Sequence, residues 1–206
     1  MGYCVDLNLS GKTALVVGAG AVAARKIRGL LGQNARIRVV AREISHEVEE
    51  LAKSNAIEVS VRDFHIADLD EAFIVHAATS NRAVNQEIAH SAVSRGLLVC
   101  CAAGGDEGNF LTPSAFTRGE LTISVATNRA SPTLAIVLRE RLQGQFGAEY
   151  AHWTRLFGRL RSSIQDLKLP DQRKAFVSRV LDDPDVSDRI LAGDLDAAET
   201  AARRCI

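Results

Sequence analysis

Residues 12–103 alternate between two hydrophobic periods, and this alternation constrains the fold more than any other feature of the chain. Short apolar runs typical of strands are separated by segments of roughly ten to fifteen residues with helical spacing. The strand-like runs are KTALVV (12–17), RIRVVA (36–41), IEVSV (57–61), AFIVHAA (72–78) and LLVCCAA (97–103). This alternation predicts an α/β fold with a parallel, doubly wound sheet. Right-handed crossovers bring the carboxyl ends of its strands to one edge, where ligands bind.

A glycine-rich turn follows the first of these strands. VVGAGAVAARK (16–26) contains the pattern Gly18-x-Gly20-x-x-Ala23, which indicates dinucleotide binding when it follows a strand and opens a helix. Gly18 permits a tight turn, Gly20 lets the backbone approach a pyrophosphate, and Ala23 lets helix and strand pack closely. We therefore predict that N–H groups at the start of the helix hold the phosphates. A glycine-rich turn without a ligand is the alternative.

Polar residues at the ends of two other predicted strands bear on the choice of dinucleotide. After the second strand, Glu43 is suited to the 2′-hydroxyl of NAD, whereas Arg42 is suited to the 2′-phosphate of NADP. The residues alone leave this choice open. Thr79, at the end of the fourth strand, is predicted to face the same crevice and to contact the cofactor.

The pattern changes near residue 104. A glycine-rich loop is followed by LTISVAT (121–127), which alternates as a strand with one covered face. Ser131 and Pro132 then favour a helix start, because serine is a good N-cap and proline is tolerated at the first position. That helix is predicted to carry an apolar stripe formed by Leu134, Val137, Leu138 and Leu142. Everything after residue 148 is predicted to be helical. The expected parts are a dinucleotide-binding domain (1–112), a short segment (113–146) and a helical domain (147–206).

Composition excludes several classes of protein. Lysine plus arginine (25) equals aspartate plus glutamate (25), so no overall field attracts nucleic acid. No stretch approaches the roughly 20 apolar residues that a membrane span needs. The first residues lack the pattern of a secretory signal, and we expect a cytoplasmic protein. The four cysteines form no C-x-x-C pair and no two histidines are four residues apart, so no metal site is predicted.

The neutral total conceals a local excess of positive charge. Residues 118–179 hold 11 Lys/Arg against 5 Asp/Glu, a net of +6, whereas residues 180–206 have a net of −4. Solvated helix faces account for most of these arginines. The alternative is a basic surface that binds a polyanionic ligand.

The glycine turn and four further motifs resemble the precorrin-2 dehydrogenase family, the module found alone or as the amino-terminal part of siroheme synthase. Some of its members also act as sirohydrochlorin ferrochelatase. The further motifs are HAATSNRAVNQ (76–86), NFLTPS (109–114), RGELTISVAT (118–127) and ASPTLAIVLRERL (130–142). The resemblance implies a Rossmann-like domain, a dimerisation segment and an all-helical carboxy-terminal domain. It also implies NAD-dependent oxidation of precorrin-2 to sirohydrochlorin by a cytoplasmic homodimer.

The resemblance also implies site residues. The family's cofactor contacts fall here on the pairs Ala21–Val22 and Arg42–Glu43. Precorrin-2 is an octacarboxylate, and arginine forks pair carboxylates well. The residues that we predict to bind the substrate are Asn109, Arg118, Arg129 and Ser131, with Arg139 as a further candidate. For Ser131, a helix N-cap alone explains the residue equally well.

One departure from the family bears on catalysis. The family has an aspartate six residues before the position of Asn109, and this chain has Ala103 there. Because alanine cannot accept a proton, we expect metal insertion to be weak or lost. Asp106, with Glu107 beside it, is the candidate replacement. The alternative functions are a non-catalytic tetrapyrrole- or iron-binding relative and, less favoured, another NAD(P)-dependent dehydrogenase on this fold.

Overall fold

The structure, a computed structural model, describes residues 2–54, 57–102 and 107–205. The chain divides into two compact units, Gly2–Thr112 and Pro113–Ile206. The further division of the second unit at residue 146 stays a prediction.

A single parallel sheet forms the centre of the first unit. Its strands are β1 (Thr13–Val17), β2 (Arg36–Ala41), β3 (Ile57–Val61), β4 (Ala72–Ala77) and β5 (Leu98–Cys101). Their order is β3-β2-β1-β4-β5, and every neighbouring pair is parallel. The predicted doubly wound sheet is therefore confirmed. The order reverses between β1 and β4, which is where such sheets open a crevice for ligands.

Helices cover both faces of this sheet because alternate residues of each strand point in opposite directions. The helices are α1 (Ala21–Leu30), α2 (His46–Ser54) and α3 (Arg82–Ser94), and a 3-10 turn spans Ile66–Leu69. On one face Ile27 of α1 packs against Val16 and its neighbours. On the other face Ile88 of α3 packs with Leu15 and Val75. These side chains are fully buried, and each contributes about 1.5–3 kcal/mol of burial free energy.

The second unit begins with an antiparallel hairpin and continues in helices. The hairpin pairs β6 (Ser114–Arg118) with β7 (Leu121–Val125). The helices are α4 (Pro132–Gln145), α5 (Tyr150–Arg159), α6 (Arg161–Asp166), α7 (Pro170–Asp182), α8 (Pro184–Ala192) and α9 (Leu195–Arg203). Trp153, Leu156 and Phe176 lie at the centre of the helical core. Among the residues that the structure describes, no helix is long and apolar enough to cross a bilayer.

Helix α4 leaves most of its apolar side chains uncovered. Ala135 is its one buried residue, while Leu134, Ile136 and Val137 are 49%, 45% and 38% exposed. The predicted apolar stripe is thus present, but this single chain does not cover it. An exposed apolar helix face of this kind is typical of an interface.

Candidate dinucleotide and substrate sites

The turn between β1 and α1 approaches the end of β4 so closely that only glycine fits. Gly18 has φ +108°, and a Cβ built on it would lie 2.3 Å from the carbonyl oxygen of Ala78 and 2.9 Å from the nitrogen of Thr79. Its own N–H donates to the carbonyl of Val40 on β2 at 2.8 Å. The turn is therefore held between the ends of β2 and β4, at the point where the strand order reverses.

The start of α1 is open toward solvent. Gly20 is its N-cap and supplies no side-chain hydrogen bond, and a Cβ on Gly20 would meet nothing within 4 Å. The first bond along the helix runs from the N–H of Ala24 to the carbonyl of Gly20 at 2.9 Å. The N–H groups of the first turn, 21–23, consequently have no partner within the helix. An open space above such N–H groups fits the pyrophosphate of a dinucleotide.

Two of the predicted cofactor residues, Arg42 and Glu43, are exposed at the end of β2. The next part of the chain is held beside the glycine turn, because Ser45 donates from its N–H to the carbonyl of Ala19 at 3.2 Å. Arg42 donates from Nε to the carboxylate of Asp63, and this hydrogen bond raises the pKa of Arg42. We did not identify Asp63 from the sequence, although its position two residues after the IEVSV strand places it at the same edge.

Thr79 is another predicted cofactor contact. Its hydroxyl forms hydrogen bonds within its own turn. The hydroxyl donates to Oδ1 of Asn85 at 2.7 Å and accepts from the N–H of Asn81 at 3.2 Å. The Asn85 amide also accepts from the Thr79 N–H at 3.0 Å and donates to its carbonyl at 2.9 Å. Asn85 is buried, so it fixes the backbone that lies against Gly18. The sequence signal that we missed is a polar residue on the same face of the helix as Ile88.

Two residues downstream of β5, Asn109 and Glu107, are hydrogen-bonded to the backbone at β5 and to α3, respectively. Asn109 accepts from the N–H of Val99 and donates to the carbonyl of Leu97, both at 2.8 Å. Glu107 accepts from Nε2 of Gln86 at 2.8 Å, and this bond is the main cause of a lowered Glu107 pKa. Both polar atoms of the Asn109 side chain thus serve the backbone of β5, and its role toward substrate stays a prediction. Ala103 and Asp106 lie outside the described residues.

His76 is a buried titratable group at the centre of the sheet. It lies on β4, edge-on to Phe110 with the ring centres 5.6 Å apart. Its Nδ1 has no hydrogen-bond partner in the described part of the chain. Burial, and secondarily the charge of Lys26, lowers its pKa to about 4. The imidazole is therefore neutral at physiological pH and supplies no charge to the site.

In the second unit, Ser131 acts as the cap of α4. Its Oγ accepts from the N–H of Leu134 at 3.2 Å. Just before it, Asn128 and Arg129 have φ of 48° and 70°, the left-handed region that glycine adopts without strain.

Two of the predicted substrate arginines already have partners within the second unit. Arg118 donates from Nε to the carbonyl of Phe146 at 3.1 Å. Arg139 donates to Oε1 of Gln143 at 2.6 Å and to the carboxylate of Glu140 at 3.0 Å. The third, Arg129, is exposed and also has a partner. In the described ranges no three His, Cys, Asp or Glu side chains come together as a group able to hold a metal ion.

Comparison with known proteins gives matches over nearly the whole chain. A family model described as putative NAD(P)-binding matches residues 5–114, and one described as the sirohaem synthase dimerisation region matches residues 149–206. The solved structure of "SirC, precorrin-2 dehydrogenase" superposes with a TM-score of 0.74 and 28% identity, covering 98% of this chain and 100% of that one.

Curated relatives agree with these matches. A precorrin-2 dehydrogenase of Priestia megaterium is 32% identical over 182 residues, which are 88% of this chain and 90% of that protein. A siroheme synthase of Neisseria meningitidis serogroup B is 35% identical over 175 residues, and one of Nitrosococcus oceani is 32% identical over 198. The matched part is 36% and 42% of those two proteins, so the chain spans less than half the length of the siroheme synthases.

Proposed function

Because this chain belongs to the family of precorrin-2 dehydrogenases and siroheme synthases, we propose that it oxidises precorrin-2 to sirohydrochlorin with NAD⁺. In this reaction precorrin-2 loses a hydride to NAD⁺ and a proton, which yields sirohydrochlorin, NADH and H⁺. The observation that carries the proposal is the uncapped start of α1, beside a glycine whose Cβ position is open. Similarity over nine-tenths of a precorrin-2 dehydrogenase supports precorrin-2 as the substrate.

The cofactor residues are those of the first unit. The N–H groups of Ala21, Val22 and Ala23 bind the pyrophosphate, and Gly20 leaves room for it. The Glu43 carboxylate accepts a hydrogen bond from the 2′-hydroxyl of the adenosine ribose. Bound NAD⁺ supplies the hydride acceptor, and the chain supplies its position, because the alignment of the two rings governs the transfer.

The substrate contacts are proposed from the motifs of the sequence. Arg118, Arg129 and Arg139 are the arginines that we propose to pair with substrate carboxylates. Asn109 and Ser131 are also proposed to contact the substrate, because they lie in the motifs NFLTPS and ASPTLAIVLRERL. Asp106 is proposed to accept the proton, since carboxylates serve as general bases in such steps.

A cytoplasmic homodimer completes the proposal. The match of residues 149–206 to a dimerisation region supports association of two copies. The uncovered apolar face of α4, formed by Leu134, Ile136 and Val137, supports a second contact in the segment 113–146.

The assay that tests the activity mixes the protein with precorrin-2 and NAD⁺ under anaerobic conditions and follows NADH. We expect NADH to form at a rate proportional to enzyme concentration. Gly20→Val, which fills the open space above the helix start, is expected to abolish this rate while the protein remains folded. Tight binding of the tetrapyrrole with no NADH at any enzyme concentration would instead establish the non-catalytic alternative.

Chelation is proposed to be weak because Ala103 replaces the family aspartate. Sirohydrochlorin with Fe²⁺ or Co²⁺ should show little acceleration over the spontaneous reaction. Ala103→Asp should raise that rate, since a carboxylate then accepts protons from the macrocycle nitrogens. Robust insertion by the natural sequence would show that another group performs this task.

A further inference from the structure

The carboxylate of Asp63 pairs with the guanidinium of Arg42, which would otherwise be suited to bind the 2′-phosphate of NADP. Asp63 follows β3 at the same edge as Arg42, which follows β2, and Arg42 Nε donates to its carboxylate. Both side chains are largely exposed, at 78% and 61%. The pair thus lies where the adenosine ribose is expected when the pyrophosphate is bound at the start of α1.

A partly buried ion pair between Arg62 and Asp68 fixes the backbone of Asp63. The neighbouring Arg62 donates from Nη1 to the Asp63 carbonyl at 2.9 Å and forms a two-point contact with Asp68, at 2.8 and 2.5 Å. Asp68 is only 4% exposed, and it also accepts from the N–H of His65 at 2.8 Å. The Arg62 N–H donates to the carbonyl of Ala41 at 2.8 Å. Residue 63 is thereby held beside the end of β2 rather than on a free loop.

Arg62 is already bound within this network. Its guanidinium is held by the buried Asp68, so it is not available to replace Arg42 as a phosphate ligand. A 2′-phosphate would have to displace Asp63 from Arg42 before it could pair with that arginine, and it would also meet the negative charge of Glu43. A 2′-hydroxyl is neutral and meets no such opposition.

We propose that Asp63 is a specificity-determining residue, which favours NAD over NADP by pairing with Arg42. The inference rests on the proposed dinucleotide site. Asp63, which follows β3, is added to the residues of that site. Its pairing with Arg42 explains why an arginine beside the ribose position does not select NADP.

Calorimetric titration of the full chain with NAD⁺ and with NADP⁺ tests this inference without using turnover. Asp63→Asn keeps the shape of the side chain and removes its charge. We expect the ratio of the NADP⁺ to the NAD⁺ dissociation constant to fall about fivefold, the upper range for an exposed ion pair. Asp70→Asn is the matched control, since Asp70 also pairs with an arginine, Arg95 at 2.7 Å, but precedes β4 at the opposite edge. It should leave the ratio unchanged.

Repeating the substitution in an Arg42→Ala background shows whether Asp63 acts through Arg42. The fivefold effect should then disappear. An effect of the same size without Arg42, or an unchanged ratio in Asp63→Asn with NAD⁺ still bound, would overturn the inference and leave the proposed function intact. A natural chain that binds neither dinucleotide would overturn both. Melting temperatures of all variants exclude loss of folding as the cause.

Discussion

At the residue scale, the two glycines of the β1–α1 turn have different tasks. Gly18 has a positive φ and no room for a Cβ, whereas Gly20 has φ −84° and open space. Gly18 is therefore required by the fold, and we propose that Gly20 is required by the ligand. The spacing of the motif predicts both positions, but only the structure separates the two tasks.

Gly18→Ala should reduce the free energy of unfolding of the first unit by about 2–4 kcal/mol, from backbone strain and collision with Ala78. Gly20→Ala is the matched control and should stay within about 1 kcal/mol of the natural protein. Its methyl group should nevertheless weaken NAD⁺ binding about tenfold or more. Urea unfolding and calorimetry measure the two effects. Equal stability of the two variants would contradict this assignment of tasks.

His76 makes stability depend on pH. Its folded pKa of about 4 lies below the ordinary 6.5, so protonation favours the unfolded chain. This contribution is complete above about pH 6.5 and is lost as the pH falls toward 4, by at most about 3 kcal/mol.

Urea unfolding at several pH values between about 7 and 4.5 measures this loss. His76→Leu should make the profile flatter over that range, because the variant lacks the buried imidazole that takes up a proton. His90→Gln, at an exposed position of α3, should retain the slope. A natural protein whose stability is constant over the range would refute the account of His76.

At the scale of elements, hydrophobic periodicity was a good predictor of the first unit. β2 and β3 coincide with the runs RIRVVA and IEVSV, and α3 lies in one of the predicted helical segments between strands. The roles of Asn85 and Asp63 escaped this reasoning. Each depends on contacts between separate elements. Asn85 lies within the motif HAATSNRAVNQ, but the resemblance assigns it no role, and Asp63 lies outside the quoted motifs. A local pattern carries no information on such contacts.

Helix α4 is a second case in which a local sequence pattern does not reveal what a side chain contacts. The sequence predicts an apolar stripe, and an isolated two-stranded hairpin under a helix offers little surface to cover it. The stripe therefore remains exposed in a single chain. We attribute it to contact with a second copy.

Ile136→Asp should shift the protein from dimer to monomer, because a charge on this face would be buried without a partner. Thr133→Asp places the same charge on the same helix at an exposed polar position, and it should leave the dimer intact. Sedimentation over a range of concentrations distinguishes them. A natural protein that remains monomeric at high concentration would contradict the proposed dimer.

At the scale of the whole molecule, the distribution of charge along the sequence overstates the basic surface. Part of the positive excess in residues 118–179 is neutralised by the acidic end of the chain. Arg159 contacts Asp196 at 2.6 Å and Glu199 at 3.4 Å. A count by sequence cannot detect this pairing, because the partners are far apart until the helices pack. The arginines left for a polycarboxylate are consequently fewer than the net charge suggests.

The central claim is that this chain transfers a hydride from precorrin-2 to NAD⁺. Precorrin-2 carrying deuterium at the carbon that is oxidised tests it most directly, in a single turnover analysed by mass spectrometry. We predict one deuterated NADH for each sirohydrochlorin formed. Sirohydrochlorin that appears without deuterium in NADH, or no NADH at all, would contradict the claim.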